Sequence, residues 1–568
     1  MRELLLDEVK KSVRTAFPGV GAEVVDRVTL ESPRDPSHGD FSSNIAFLLK
    51  DIVREAPRSI AEKIVEQLTR EASIGAAEVA GPGFINLRVR PQGMLKFLEK
   101  LATAQGRAEL LRDRELAQKT GKMQVEFVSA NPTGPLNVVS ARAAAYGDAS
   151  IRLLRAVGVD AYSEYYVNDE GNQARIFGES LKVRFLQAAG KKVELPEDAY
   201  RGAYVADVAR ALYEEERSKA GPSFDAEASA ATLDFQGLGL DRMIAAARAS
   251  LLRFGVEFDC WFRESYFHRA KEGESLIHEA EKRLQEKGHL FQQDGATWFR
   301  STAFGDDKDR VIRRSDGEPT YLLGDIAYHL EKARRGFQRV IDVWGPDHHG
   351  YIARMKAATQ ALGLSVDWLD VVIVQQVNFL RGGQPVRMSK REGEFITLDD
   401  VIDEVGADVA RFIFLTRRAS SHLDFDLDLA KKESLDNPVF YVQYAHARSR
   451  SIFRQPMAQQ LAPRAGEVPD PALLNGAEEV AMMRLLLQYP QVVKESALAL
   501  EPHRLVAYLR EVAGAYHRFY TRGKQEPSFR VLVEDERLAR ARLALVGILA
   551  DVLREGLGLL GIRALEEM

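Results

Sequence analysis

The chain has 568 residues, and length alone predicts three or four domains rather than one core. Hydrophobic content of 45% and charged content of 28% are those of a soluble globular protein, and no window nears the roughly 18 consecutive apolar residues of a membrane span. The formal net charge of −5 speaks neither for nor against nucleic acid, because a large acidic chain can carry a local basic face. Cys260 is the only cysteine, which excludes an internal disulfide and a cysteine-based zinc site. The opening MRELLLDEVKKSV mixes acids and bases in an amphipathic pattern and lacks the apolar core of a secretion signal, so a cytoplasmic protein is expected.

In chain order, residues 1–115 read as a separate α+β unit. A helical pattern opens it, the polar loop ESPRDPSHGDFSSN feeds a helix, and EVAGPGFINLRV is a tight turn followed by a strand. The charged stretch LRDRELAQKTGK marks the boundary. A Rossmann-like unit is expected over 116–395. MQVEFVSA reads as strand, NPTGP as loop, about Asn137 to Val157 as helix with Gly158 just past its end, and AYSEYYV as the next strand. RVIDVWGPDHHGYIARMKAATQAL repeats strand, turn and helix, and DVVIVQQVNFL reads as one further strand. The polar helical stretch at about 190–260 reads as an insertion. From 396 the pattern turns all-helical, with Thr397 and Asp400 as a capping box for a helix through VIDEVGADVARFIFLTRR. A connecting helical region over 396–437 leads into a bundle over 438–568. Its last helix places Leu538, Ala541, Leu545, Ile548, Val552 and Leu553 on one face. The fold class expected is α/β multidomain: a doubly wound parallel sheet, an N-terminal α+β domain and a C-terminal all-α bundle.

Four places carry chemistry. The strand–loop–helix at NPTGP offers unpaired backbone N–H groups and a positive helix end, which suit a phosphate, although a plain turn is the commoner meaning. PVRMSKREGE, after Gly382 and Gly383, sets Arg387, Lys390 and Arg391 beside Ser389 and Gly393. Such a loop can clamp a polyphosphate, and the bland alternative is a solvated basic hairpin. Tyr321 and Asp325 lie four apart on one helical face, ahead of Tyr328 and His329. An aromatic beside a carboxylate seats a cation, whereas an ordinary amphipathic helix would put the tyrosine in the core and the aspartate in water. In WGPDHHGY, the adjacent His348 and His349 point different ways and suit one metal poorly, so contacts from Asp347 or His349 to a nucleoside read better.

The order of six blocks then decides. EFVSANPTGPL, YYVNDEGNQ, DGEPTYLLGDIAYH, VWGPDHHGY, VRMSKREGEFITL and NPVFYVQYAHARS together closely resemble bacterial arginyl-tRNA synthetases of class I, and DPSHGDFSSNIA and VAGPGFINLRV resemble that family's added tRNA-binding domain. The resemblance covers essentially the whole chain. It implies activation of arginine by ATP, with magnesium as part of the substrate complex and no protein-bound metal, then transfer to arginine tRNA. It also implies no membrane, a monomer, tRNA required before activation, and an anticodon-binding bundle from about Pro438. Glu126, Ser129 and Asn131 then line the amino-acid pocket, Tyr321 and Asp325 hold the guanidinium, and Asn168 adds a polar contact. Asp347 and His349 approach adenosine, and Met388, Ser389 and Lys390 match the mobile lysine loop. The chain departs from the family at one point. Where the family has His-x-Gly-His, it has Asn137-Val138-Val139-Ser140. Losing one phosphate donor of that kind costs about 10²–10³ in rate. The Asn137 amide and the Ser140 hydroxyl are the donors expected to replace the histidines. The alternative is a paralogue that binds arginine or tRNA without efficient adenylation. The intact pocket and lysine loop favour the ligase.

Overall fold

The computed structural model describes every residue except 1, 32, 34–37, 72, 268–274, 387–395 and 464–466. Five strands make the parallel sheet at its centre: β1 (Lys122–Glu126), β2 (Asp160–Val167), β3 (Cys260–Arg263), β4 (Arg339–Trp344) and β5 (Leu369–Ile373). They lie in the order β5-β4-β1-β2-β3. The chain turns one way from β1 and the other way to β4. The crevice outside the carboxyl ends of these two strands is therefore the topological switch point, where ligands bind in open α/β sheets.

Two helices frame that crevice. Helix α1 (Val138–Ala156) follows β1. Asn137 caps it, its Oδ1 accepting from the Ser140 backbone N–H at 3.0 Å. It ends as the sequence predicts, with Gly158 at φ 94° and the Val159 N–H donating back to the Leu154 carbonyl at 3.0 Å. Gly147 lies flat against the Phe127 ring, and a Cβ there would collide with it, so this glycine sets how closely α1 packs on the sheet. Helix α2 (Tyr321–Arg334) precedes β4 and packs its buried face onto the sheet.

Two sequence expectations are corrected. DVVIVQQVNFL is not one strand. Val374 N–H still bonds the Trp344 carbonyl of β4, but Gln375 N–H turns to Ala419. From there the chain leaves the sheet and forms β6 (Val377–Arg381) beside Leu423–Asp426 and Gln384–Pro385. Both halves are apolar, and hydrophobic pattern cannot register a change of partner. The capping box at Thr397 and Asp400 is present, with N–H to side-chain bonds of 2.8 and 3.0 Å. The helix it starts, however, stops at Val405, because Gly406 takes φ 80°, and a second helix runs Ala407–Phe414.

The N-terminal part pairs Phe41–Ser43 and Ile74–Ala80 with Phe84–Val89 between them in an antiparallel sheet. Helices Arg2–Ala16 and Pro57–Leu68 belong to the same part, and their Leu5, Val9, Val13, Ile60 and Ile64 are buried in its core. Helices Ala203–Ala220, Ala226–Thr232 and Phe235–Arg253 join Gly171–Ala188 around a separate core that includes Phe177, Phe185, Leu212 and Phe235. The C-terminal helices Pro438–Phe453, Ala477–Leu498, His503–Gln525 and Glu536–Leu559 form the bundle. On the last of these, Ala541, Leu545, Ile548, Val552 and Leu553 are buried and Leu538 is partly so. The N-terminal part is tied to this bundle by Asp40 with Arg484 at 2.7 Å. No helix among the described residues is long and apolar enough to cross a membrane.

Candidate active site

The register of the sheet places three carboxylates side by side. Asp342 on β4 pairs with Glu126 on β1, and Glu126 with Glu164 on β2, all three buried. Like charges on neighbouring strands repel and cost stability unless they are neutralised. The end of α2 supplies the cations. Lys332 Nζ donates to Glu126 Oε2 at 2.7 Å and to Asp342 Oδ1 at 2.8 Å. Arg335 donates to both oxygens of Glu164 at 2.5 and 2.8 Å, and the Tyr328 hydroxyl donates to it at 2.6 Å. Burial opposes ionisation of Asp342, yet Lys332 and His329 hold its carboxyl at about 2. Burial likewise opposes the Glu164 charge, and Arg335 keeps that carboxyl below its ordinary value. At Glu126 burial wins over Lys332, with Asp342 adding to it, and the pKa is raised.

At the end of β1 the backbone is strained. Val128 and Ser129 sit at φ 70° and 40°, the left-handed region that residues with a Cβ, and β-branched ones above all, avoid. The contacts show what holds them there. Ser129 Oγ donates to Glu126 Oε1 at 2.9 Å and accepts from the Tyr166 N–H at 3.1 Å, and the Tyr165 hydroxyl donates to the Ala130 carbonyl at 2.8 Å. Next along the loop, exposed Asn131 donates to Gln173 at 2.7 Å, and Tyr204, from the inserted helices, donates to the Thr133 carbonyl at 2.8 Å. Asn137 and Ser140 stand at the opening of α1. The Ser140 hydroxyl also donates to Asn137 Oδ1, at 3.2 Å, so the two residues are bonded to each other. Asn137 further forms an isolated antiparallel bridge with Thr397. Arg387, Met388, Ser389, Lys390 and Arg391 lie outside the described residues. The segment that contains them leaves from Val386, bonded to Phe379 of β6, and re-enters at Thr397 beside Asn137.

Across the crevice, α2 opens with Tyr321, 73% exposed, and one turn on lies half-buried Asp325. This reverses the ordinary amphipathic arrangement, in which the ring would be buried and the acid exposed. The Tyr351 hydroxyl donates to Asp325 Oδ2 at 2.6 Å. Burial raises the Asp325 carboxyl all the same. Glu264, just past β3, faces the same space. Burial first, then the Asp325 charge, pushes its carboxyl up to about 7. The Asn168 side-chain amide lies 2.7 Å from Glu264 Oε2, and a bond there requires the amide nitrogen on that side. His329 and Lys332 act on Asp325 only through space, and among the described residues neither Asp325 nor Glu264 forms an ion pair. Together they make a half-buried negative seat with an aromatic ring at its rim. Asp347 and His349 are both exposed on the turn Pro346–Tyr351 after β4, near the crevice but outside this seat.

The structure thus brings Glu126 and Ser129 together beneath the mouth and sets Tyr321 and Asp325 on its far wall. Sequence reasoning missed Glu164, Glu264, Lys332, Arg335 and Asp342. One signal was available: Lys332 and Arg335 lie three apart at the end of a helix, between strands that each carry an acid in an otherwise apolar or aromatic run.

The switch-point crevice of the parallel sheet, with a helix opening onto it, lies in the part of the chain that the class I catalytic-domain model covers, and makes this a class I aminoacyl-tRNA synthetase. The family model for the catalytic domain of class I (R) tRNA synthetases matches residues 107–418, that for the arginyl-tRNA synthetase N-terminal domain 3–89, and that for the DALR anticodon-binding domain 442–568. The arginine–tRNA ligase of Syntrophotalea carbinolica is 46% identical over the full length of both chains, and that of Desulforudis audaxviator 44% over 99% of this chain and 97% of its own. In fold, the chain matches the Thermus thermophilus arginyl-tRNA synthetase at a TM-score of 0.75, with 23% identity and full coverage of both chains. It matches the Plasmodium falciparum enzyme at 0.71 with 16% identity, covering 100% of this chain and 99% of the other. The chain belongs to the arginyl-tRNA synthetase family.

Proposed function

We propose that the protein is an arginine–tRNA ligase. A carboxylate oxygen of arginine attacks the α-phosphorus of ATP, the bond to pyrophosphate breaks, and arginyl-adenylate forms. The terminal ribose hydroxyl of arginine tRNA then attacks the activated carbonyl and AMP leaves. No covalent enzyme intermediate is needed, so binding, alignment and charge stabilisation carry the catalysis.

The observation that carries this reading is the seat formed by Asp325 and Glu264, two carboxylates that form no ion pair among the described residues. A guanidinium offers five donors in a planar fork and keeps its charge when partly buried, which fits this seat, and Tyr321 can lie over its face. In this reading Glu126, steadied by Ser129, meets the α-ammonium end, with Asn131 beside it. Asn137 and Ser140, at the positive end of α1, face the phosphates with Met388, Ser389 and Lys390, and Asp347 and His349 lie toward the adenosine. ATP enters as its magnesium complex. The reading places the enzyme in the cytoplasm as a monomer, with tRNA bound by the first domain and by the C-terminal bundle.

The test is charging of arginine tRNA by the native chain, beside an Asn137→His plus Ser140→His variant. Measurable charging by the native chain is expected. Tight tRNA binding with no charging would overturn the ligase in favour of a binding paralogue, a reading that the full-length relatives do nothing to support.

A further inference from the structure

Lys332 is fully buried in the floor of the crevice, where it neutralises the carboxylate row. Its Nζ touches two carboxylates of the row, Glu126 and Asp342. Asp342 is held from its other side by His329, whose Nε2 lies 3.0 Å from Oδ2 and whose Nδ1 donates to the Asp325 carbonyl at 2.7 Å. Glu164 has its own cation in Arg335. Glu126 differs from its two neighbours. One oxygen is fixed by Lys332, while among the described residues the other accepts only the Ser129 hydroxyl, at 2.9 Å, and a carboxylate oxygen has room for another donor. A simple stability role accounts poorly for this arrangement, because a buried ion cluster is often no more stable than apolar packing of the same volume.

We propose that Lys332 is a positioning residue for arginine: anchored on Asp342, it turns the Glu126 carboxylate toward the mouth of the pocket, where it meets the substrate ammonium. The proposal rests on the reading of Glu126 as an arginine contact. His329 bonds the Asp325 carbonyl one turn earlier on the same helix, so α2 carries Asp325 as well as the two groups that hold Asp342.

Among the described residues the groups facing Glu126 are Lys332 from α2, Asp342 from β4, Glu164 from β2, and the hydroxyls of Ser129, Tyr166 and Tyr328. Lys332 is the only cation in that set. Without it, burial and the two acids favour the protonated form of Glu126, which cannot attract an ammonium. In Lys332→Met the arginine KM is therefore expected to rise at least about tenfold near pH 7 and to rise less as the pH is raised, while the ATP KM stays within about twofold. Combining Glu126→Gln with Lys332→Met should add no further loss of arginine affinity. Should the methionine variant not fold, Lys332→Gln keeps a donor in place without the charge, and the same pH-dependent loss is expected. A lower melting temperature with unchanged arginine KM, or a loss that does not vary with pH, overturns the proposal. If Glu126→Gln weakens arginine and Lys332→Met does not, only the positioning role fails. If Glu126→Gln itself leaves arginine binding intact, the contact beneath it fails as well.

Discussion

Replacing Asp325 with asparagine tests the cation seat with little change of shape. The asparagine oxygen can still accept the Tyr351 hydroxyl, which in the native chain lies 2.6 Å from Oδ2, so the wall of the pocket should hold. What disappears is one negative charge. At an effective dielectric of about 20, opposite unit charges 4 Å apart attract by about 4 kcal/mol, and a hydrogen bond to a charged group contributes about 1.5–3 kcal/mol net. Glu264 remains and gains charge, because the Asp325 repulsion that helps raise it to about 7 is removed. The lower part of the range therefore applies, about 2–3 kcal/mol, or an arginine KM raised about 30- to 150-fold. Steady-state aminoacylation with arginine and ATP varied separately reads this out, and the ATP KM should stay within about twofold. Equal rises in both constants would refute the seat, because a general loss of structure predicts that pattern and a lost guanidinium contact does not.

Other expectations follow from the same geometry. Glu264 must be ionised to meet a cation, and its carboxyl titrates at about 7. Arginine affinity by calorimetry should therefore fall as pH drops from about 8 to about 6, and Glu264→Gln should weaken binding and flatten that slope; an unchanged slope would remove Glu264 from the pocket. Lys390→Ala is expected to lower turnover while leaving arginine affinity nearly intact, and unaltered turnover would refute its phosphate role. Arg411 is fully buried, donates to Asp148 and to the Leu560 and Phe254 carbonyls, and ties α1 to the end of the last helix. Arg411→Leu should destabilise by about 3–5 kcal/mol in denaturant unfolding, since it strands buried acceptors, and a loss under about 1 kcal/mol would count against the lock.

The readable parts of this molecule were those written locally. Gly158 ending α1, the Thr397–Asp400 capping box and the four-residue step from Tyr321 to Asp325 each involve neighbours along the chain, and each is where the pattern put it. The row beneath the pocket could not be read that way. Glu126, Glu164, Lys332 and Asp342 meet only because parallel strands bring distant segments into register, and each looks like an ordinary strand end or helix charge in isolation. Glu264 was missed for the same reason, as its neighbours Asn168 and Asp325 are remote in sequence. The exit of the chain after β5 depended on a change of hydrogen-bond partner, which apolar patterning does not encode.

The bond between Asn137 and Ser140 bears on how this motif could change through descent. Asn137 accepts from both the backbone and the hydroxyl of Ser140, so it is a helix cap as well as a candidate phosphate contact. Asparagine is among the best residues at such a position, and losing the cap costs about 1 kcal/mol. A lineage that exchanged Asn137 for histidine alone would loosen the first turn of α1 and leave the Ser140 hydroxyl without its acceptor before any benefit to chemistry arrived. An exchange at Ser140 alone would give up only the weaker of the two bonds and keep the backbone cap. The two positions therefore form an epistatic pair with a preferred order of substitution, and the present motif is held in place by the turn it closes.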